Sequence, residues 1–238
     1  SQSRFSTNVA WLASRHCFSF GQHYDQTNTH FGLLMVSNDD IVAPGAGFDT
    51  HPHRDMEIVT WVLSGSLVHQ DSQGNNGVIY PGLAQRMSAG RGILHSEKND
   101  SWRLTGTPEH SDPVHFIQMW VLPDTPGINP GYQQLDINDQ LDSTGLAVVA
   151  SGLAEHSHTT AIHIAQSRAG LLAGRLAPGE RQGLPTAPRL HLFVAVGAVE
   201  LESGERLEAG DSARMSESGG IAVTAGSAGA EILVWQMH

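Results

Sequence analysis

Two pairs of residues with metal-binding side chains stand out in the first half of the sequence. His51 and His53 are separated by one residue, and so are His95 and Glu97, which follow a glycine-rich segment. On an extended strand, side chains two residues apart point to the same face, as neighbouring ligands of one ion must. One His-x-His pair is a weak signal, whereas two such pairs on separate strands supply a complete set of protein ligands for one ion. We therefore predict that these four residues bind one divalent metal ion.

Three neutral imidazoles and one carboxylate suit a divalent transition metal and leave the centre with a net charge of about +1. An octahedral ion would keep two positions open for water, O2 or a chelating substrate, which is the layout of a non-haem oxygenase. A structural zinc site is instead closed and usually rich in thiolates, and this sequence has a single cysteine, Cys17. Iron(II) is the favoured metal, while copper, manganese, nickel, cobalt and zinc stay open.

Short apolar runs between Gly, Pro, Asn and Asp clusters must form the elements that hold these ligands. Runs of this kind are typical of an all-β sandwich or barrel, and long helices are not evident. The candidate strands are Phe31 to Val36, Glu57 to Leu63, Ser66 to Gln70, Val114 to Leu122, Leu190 to Val196, Val199 to Glu202 and Glu231 to Met237.

The two halves of the sequence repeat one pattern. The run Trp61 to Leu67 matches Phe193 to Val199 in its apolar positions and turn glycine, and Met87-Ser88 returns as Met215-Ser216. Such self-similarity indicates a duplicated barrel with a shorter second copy. We predict an N-terminal metal-binding barrel at residues 1–125, a linker at 126–145 and a C-terminal barrel at 146–238.

The second copy has lost the candidate ligands. His95 corresponds to Val223 and Glu97 to Ala225, while no histidine occurs near Gly183 to Ala187, where the first pair would fall. Loss of these residues from one copy favours a function confined to the other. Arg175, Arg189 and His191 of the second copy could line a ligand site of its own, but isolated polar strand residues usually face solvent.

Composition restricts the class of protein. The formal net charge is −11 and the 13 Lys and Arg residues are scattered singly, which argues against direct binding of nucleic acid. No apolar run approaches the roughly 18 residues of a membrane helix, and no charged-then-apolar leader is visible. With one cysteine, no intrachain disulfide can form. We expect a soluble cytoplasmic protein without membrane contact.

The motifs around both candidate pairs resemble those of a known family. Gly45, His51-Pro52-His53 and Glu57 are close to the first cupin motif, and Gly92-Ile93-Leu94-His95 with Asn99 resembles the second. The fuller strings Gly47 to Glu57, His69 to Asn75 and Met87 to Glu97 resemble pirins, particularly bacterial pirin-like quercetin 2,3-dioxygenases. This resemblance implies two tandem cupin barrels of jelly-roll type, the C-terminal one degenerate and without metal ligands.

The resemblance also implies roles for individual residues. The metal carboxylate of pirins matches Glu97, which leaves Glu57 to support the site or to pair within the sheet. His69 is expected either to hydrogen-bond near the pocket or to be an ordinary polar strand residue, and His156 and His158 are expected at the surface. The implied activity is cleavage of a flavonol such as quercetin by O2, with Glu97 as the general base for the 3-hydroxyl proton.

Two other functions would use the same ligands. Some pirins resemble iron-dependent, redox-sensitive adaptors that bind partner proteins, so a protein partner would replace the flavonoid-like substrate. A degenerate cupin whose metal only stabilises the fold is the third alternative.

Overall fold

The computed structural model describes residues 4–143 and 145–238, and strands dominate it, as the sequence predicts. Contacts divide the described chain into an N-terminal unit, residues 4–30 and 34–136, and a C-terminal unit, residues 31–33 and 137–238. The helical segments in these ranges are α1 (Trp102–Thr105), α2 (Asn138–Ser143) and a 3-10 turn at Ala154–His156. None of the helices in the described ranges has the length and apolar character needed to cross a bilayer.

The N-terminal unit contains two sheets. Its strands are β1 (Phe5–Val9), β2 (Leu12–His16), β3 (Leu34–Val42), β4 (Gly47–His53), β5 (Glu57–Ser64), β6 (Leu67–Asp71), β7 (Asn76–Ile79), β8 (Leu83–Ser88), β9 (Ile93–Lys98), β10 (Val114–Val121) and β11 (Gly131–Asp136). One sheet has seven strands in the order β1-β2-β3-β10-β5-β8-β11, and the other has four in the order β4-β9-β6-β7.

Buried side chains from both sheets pack together in apolar core clusters. Leu67 and Ile79 of the small sheet cluster with Val62, Val114 and Phe116 of the large sheet. Alternate residues of a strand point to opposite faces, so each strand contributes every second side chain to this interior. In β9 the alternate residues Ile93, His95 and Glu97 are all buried. The same alternation that builds the core thus turns both predicted ligands of β9 inward.

The C-terminal unit has one sheet network. Its strands are β12 (Ala147–Ser151), β13 (Ile162–His163), β14 (Ala169–Leu176), β15 (Arg181–Gly183), β16 (Ala187–Leu201), β17 (Arg206–Glu208), β18 (Ser212–Ser218) and β19 (Ala222–Met237). The order is β13-β12-β14-β19-β16-β17, with β15 paired to β19 and β18 to β16. Two of the candidate strands, Leu190 to Val196 and Val199 to Glu202, fall on the single strand β16, which ends at Leu201, one residue before the predicted end.

The stretch 126–145, which the sequence predicts as a linker, contains regular structure. Strand β11 pairs with β8 over its whole length and so belongs to the N-terminal sheet, and α2 follows it. The division between the contact units therefore falls inside this stretch, after residue 136. Backbone pairing, which composition does not reveal, accounts for the difference.

The C-terminal unit buries a histidine that sequence reasoning places in solvent. His191 is only 1% exposed and lies among apolar residues of β16 such as Leu190 and Leu192. Burial, and then the nearby Arg214 guanidinium, lowers the pKa of His191 to about 3. The ring is therefore neutral in the folded protein at ordinary pH.

The His191→Gln variant should lose less stability on acidification than the parent protein. In the parent, His191 of the unfolded chain takes up a proton below about pH 6.5, whereas the folded chain takes it up only near pH 3, so stability falls across this window. One such group gives a slope of up to about 1.4 kcal/mol per pH unit. Denaturant unfolding of metal-free protein between pH 7 and 4.5 measures this slope of the unfolding free energy against pH. The exposed His158→Gln variant should keep the parent slope, and an unchanged slope in His191→Gln would contradict the assignment.

Candidate metal centre

Strand pairing brings the predicted ligands side by side. Strand β9 lies between β4 and β6, and His51 is the direct pairing partner of His95. On its other side, β9 places Asp71 opposite His95 and His69 opposite Glu97. Directly paired residues of antiparallel strands share one face of the sheet. Both predicted pairs and the pair His69 and Asp71 therefore project from the same face of the small sheet.

Three imidazoles converge at the centre of this face. One ring nitrogen from each of His51, His53 and His95 lies within 4.8 Å of the others, and the ring centroids are 4.5 to 4.9 Å apart. Burial, and then the neighbouring imidazoles, lower the pKa of His53 to about 4 and that of His95 to about 3. At neutral pH both rings are therefore unprotonated, as metal ligands must be.

Hydrogen bonds select the tautomer of His51. Its Nδ1 lies 2.7 Å from the backbone carbonyl oxygen of Asp49. A carbonyl only accepts, so the Nδ1–H donates, and in the neutral ring Nε2 keeps its lone pair.

A chain of hydrogen bonds does the same for His95. Oδ1 of Asp71 accepts from the backbone N–H groups of Gln73 and Asn75, and Oδ2 lies 3.1 Å from Nε2 of His69. Burial opposes ionisation of Asp71, but these bonds hold its pKa below the ordinary value. In its neutral form His69 thus donates from Nε2 to a carboxylate and accepts at Nδ1.

The other end of this chain is Nδ1 of His95, 3.4 Å from Nδ1 of His69. Since His69 accepts there, His95 donates from Nδ1 and keeps its lone pair on Nε2. That Nε2 is buried and, among the described residues, has no hydrogen-bond partner. A metal ion is the partner that a buried, unprotonated imidazole nitrogen next to two others suits best. His69 is therefore a buried hydrogen-bonding residue rather than an ordinary polar strand residue.

Glu97 lies in a second, overlapping group. Its carboxylate is within 4.8 Å of ring nitrogens of His69 and His95, so the described residues form two triads that share His95, not one group of four at this spacing. Nε2 of Gln118 in β10 donates to both carboxylate oxygens at 2.9 Å. The indole N–H of Trp120, which can only donate, bonds to Oε1 of Gln118 at 3.0 Å and so fixes the orientation of this amide.

His51, His53 and Glu97 line a cavity of about 510 Å³ in the N-terminal unit. This volume falls in the range of roughly 300 to 1,000 Å³ that is typical of small-molecule sites. Phe20, Phe48 and Trp120 give it aromatic walls, and Trp120 also packs edge-on against the His53 ring, with centroids 4.9 Å apart. An aromatic substrate would fit such walls and still reach the ligand cluster.

Other candidate residues lie apart from this cluster. Glu57 is fully buried, accepts a hydrogen bond from Ser88 at 2.9 Å and has Arg86 4.0 Å away, so it pairs within the large sheet. Of the expected surface pair, His158 is exposed, while His156 is half-buried and hydrogen-bonded to Ser151 at 2.9 Å.

Two family models match the chain. The model described as Pirin matches residues 1–121, and the model described as Quercetinase C-terminal cupin domain matches residues 148–237. The chain belongs to the pirin family. This pirin is 54% identical to a Mycobacterium tuberculosis protein named "Putative quercetin 2,3-dioxygenase Rv0181c", over 99% of the chain and 92% of the relative. It is also 46% identical to the quercetin 2,3-dioxygenase of Escherichia coli K12, over 55% of the chain and 53% of that protein.

Solved structures show the same fold. The bacterial pirin YhhW from Escherichia coli in complex with nickel(II) matches this pirin with a TM-score of 0.85 and 32% identity, covering 99% of the chain and 96% of YhhW. The predicted fold class, an all-β protein of two tandem cupin barrels, is therefore confirmed.

The Asp71→Asn variant should bind metal more weakly than the parent pirin. The Asn75 amide donates to both Asp71 oxygens, and Oδ1 accepts from two backbone N–H groups as well. The asparagine therefore keeps its oxygen at the Oδ1 position and presents its Nδ2 donor to His69, which then accepts at Nε2 and donates at Nδ1. His95 is forced to accept at Nδ1 and to carry its proton on Nε2, where a metal would bind. We expect the dissociation constant for Zn(II) or Ni(II) to rise about 10- to 100-fold.

A competition assay with a chelating dye measures this constant, and nitrogen chemical shifts of the histidine rings in metal-free protein report the tautomers. The Asp49→Asn variant is the matched control, because only the backbone carbonyl of Asp49 contacts His51. Parent-like affinity together with parent-like tautomers in Asp71→Asn would contradict the proposed chain.

Proposed function

We propose that this pirin is a metal-dependent dioxygenase that cleaves a flavonol such as quercetin with O2. His51, His53, His95 and Glu97 are the proposed ligands, and iron(II) is the proposed metal. The observation that carries the proposal is the buried Nε2 of His95, which has no hydrogen-bond partner among the described residues and lies beside two further imidazoles at the wall of an aromatic-lined cavity. The names of the relatives and the nickel complex of YhhW support it.

The donor set fits such an ion. Three imidazoles and a carboxylate suit iron(II), nickel(II) and the other metals of this class, and these ligands alone do not select one of them. The bound ion would supply Lewis acidity toward the substrate oxygen and a means of activating O2. Both atoms of O2 would enter the opened product, and one ring carbon would leave as carbon monoxide.

The chain's own residues would supply proton transfer and exclusion of water. Glu97 lines the cavity and is 2% exposed, so it is placed to accept the proton of the flavonol 3-hydroxyl. Gln118 holds both carboxylate oxygens and so keeps this base from turning away from the cavity. The aromatic walls would stack against the substrate rings and keep water from the reacting atoms.

The Glu97→Gln variant should lose activity by about 100-fold or more, because an amide cannot accept the substrate proton. The assay mixes anaerobically loaded protein with quercetin and O2 and follows loss of the flavonol absorbance and release of carbon monoxide. Metal content is measured in every sample, so that loss of metal is separated from loss of the base.

The Glu57→Gln variant is the matched control, since Glu57 is a buried carboxyl that contacts Ser88 and Arg86 instead of the cavity. It should keep parent activity per bound metal. Full activity of metal-loaded Glu97→Gln would remove Glu97 from the role of base. Absence of turnover by the parent with iron, nickel, copper, manganese, cobalt and zinc would contradict the enzymatic proposal and favour the adaptor alternative.

A further inference from the structure

A row of buried polar side chains crosses the inner face of the seven-stranded sheet. His16 pairs directly with Asn38, Asn38 with Gln118, and Gln118 with Thr60. All four are at most 7% exposed. Gln118 and Thr60 hydrogen-bond to Glu97, while His16 and Asn38 line the cavity. The row therefore runs from the proposed metal centre along the wall of the substrate cavity.

Asp40 extends this polar wall. It follows Asn38 by two residues on β3, so both side chains share a face, and it pairs with Ser14 of β2. The Ser14 hydroxyl donates to Oδ1 of Asp40. Oδ2 has no hydrogen-bond partner among the described residues, although Asp40 is only 3% exposed and lines the cavity. A cavity-lining carboxyl oxygen that no protein group occupies is available to accept a hydrogen bond from a ligand.

Asn38 supplies a donor beside this acceptor. Nδ1 of His16 lies 2.9 Å from Oδ1 of Asn38, and Nε2 of His16 lies 2.9 Å from the Thr7 hydroxyl. Both ring nitrogens of His16 therefore have hydrogen-bond partners. The amide NH2 of Asn38 has no partner in the described ranges. An acceptor at Asp40 and a donor at Asn38 thus face the cavity together, and a neutral hydroxyl group, which both donates and accepts, satisfies either.

We propose that Asp40 and Asn38 bind hydroxyl groups on the substrate ring that lies away from the metal, and so select hydroxylated, uncharged aromatic compounds. From the spacing between strands and the rise along them, the Asp40 backbone lies roughly 8 Å from the Gln118 backbone. About one aromatic ring therefore fits between Asp40 and the contact of Gln118 with Glu97. This inference rests on the proposed function and names the feature of the substrate that the far wall recognises.

The charges around Asp40 favour a neutral group. Burial, with the nearby carboxylates of Glu97 and Asp39, raises the pKa of Asp40 to about 7, although the Ser14 hydrogen bond opposes this. A carboxylate or phosphate on the substrate would bring further negative charge to the same buried region. The phenolic hydroxyl is therefore the substituent that this wall accepts at the lowest electrostatic cost.

The test measures equilibrium binding of three flavonols to protein loaded with zinc(II), which has no redox chemistry and so prevents oxidative turnover. Quercetin carries two hydroxyls on its pendant ring, kaempferol one and galangin none. The parent protein should bind quercetin about three- to tenfold more tightly than galangin, as expected for hydroxyls with buried partners. Asp40→Leu, close in size, should bind galangin within about twofold of the parent and lose the preference for quercetin.

Asp39→Asn is the matched control. Asp39 is the adjacent acid on β3, faces the other side of the sheet and pairs with Arg4 and His115, so this variant should keep the preference. A parent protein that binds galangin and quercetin equally, or an Asp40→Leu variant that keeps the preference, would overturn the inference while the proposed function stands. A zinc-loaded parent that binds none of the three flavonols would instead count against the proposed function itself.

Discussion

The position of β9 between β4 and β6 is the constraint on which the whole site depends. A slip of one residue in either pairing would turn His95 and Glu97 away from the cavity, because side chains alternate between faces. The backbones approach closely where β4 begins: Gly47 has φ of 153°, and a Cβ there would collide with the carbonyl oxygen of Glu97. The glycine thus permits the pairing that sets His51 opposite His95.

Given this register, each polar side chain fixes the state of the next. The donor-only indole of Trp120 orients Gln118, and Gln118 then presents its NH2 group to Glu97. On the other side, the ionised Asp71 sets the tautomer of His69, and His69 sets that of His95. A buried network of this kind is stable only when each donor faces an acceptor. The protein therefore fixes the positions of the nitrogen and oxygen lone pairs before any ligand binds.

Spacing in the sequence predicts part of this arrangement and misses the rest for a physical reason. His51, His53 and His95 converge because side chains two residues apart on a strand share a face, provided that the two strands pair. The contacts of His69 depend on the register of β6 against β9, which only the folded sheet determines. Asp40 lies in Ser37-Asn38-Asp39-Asp40, whose composition is typical of a turn. Pairing of β3 with β2 and β10 overrides that local preference and places it in a strand.

The second barrel shows what the interior becomes without this network. Strand β15 pairs with the start of β19 and sets Gln182 opposite Val223, much as β4 sets His51 opposite His95. Val223 and Ala225, at the positions of His95 and Glu97, are buried members of an apolar core cluster. An interior of this kind contributes to stability by burial alone, whereas the first barrel keeps polar groups around a cavity of about 510 Å³. Such groups reach full hydrogen bonding only with a ligand, so any ligand that binds there would also stabilise the N-terminal barrel.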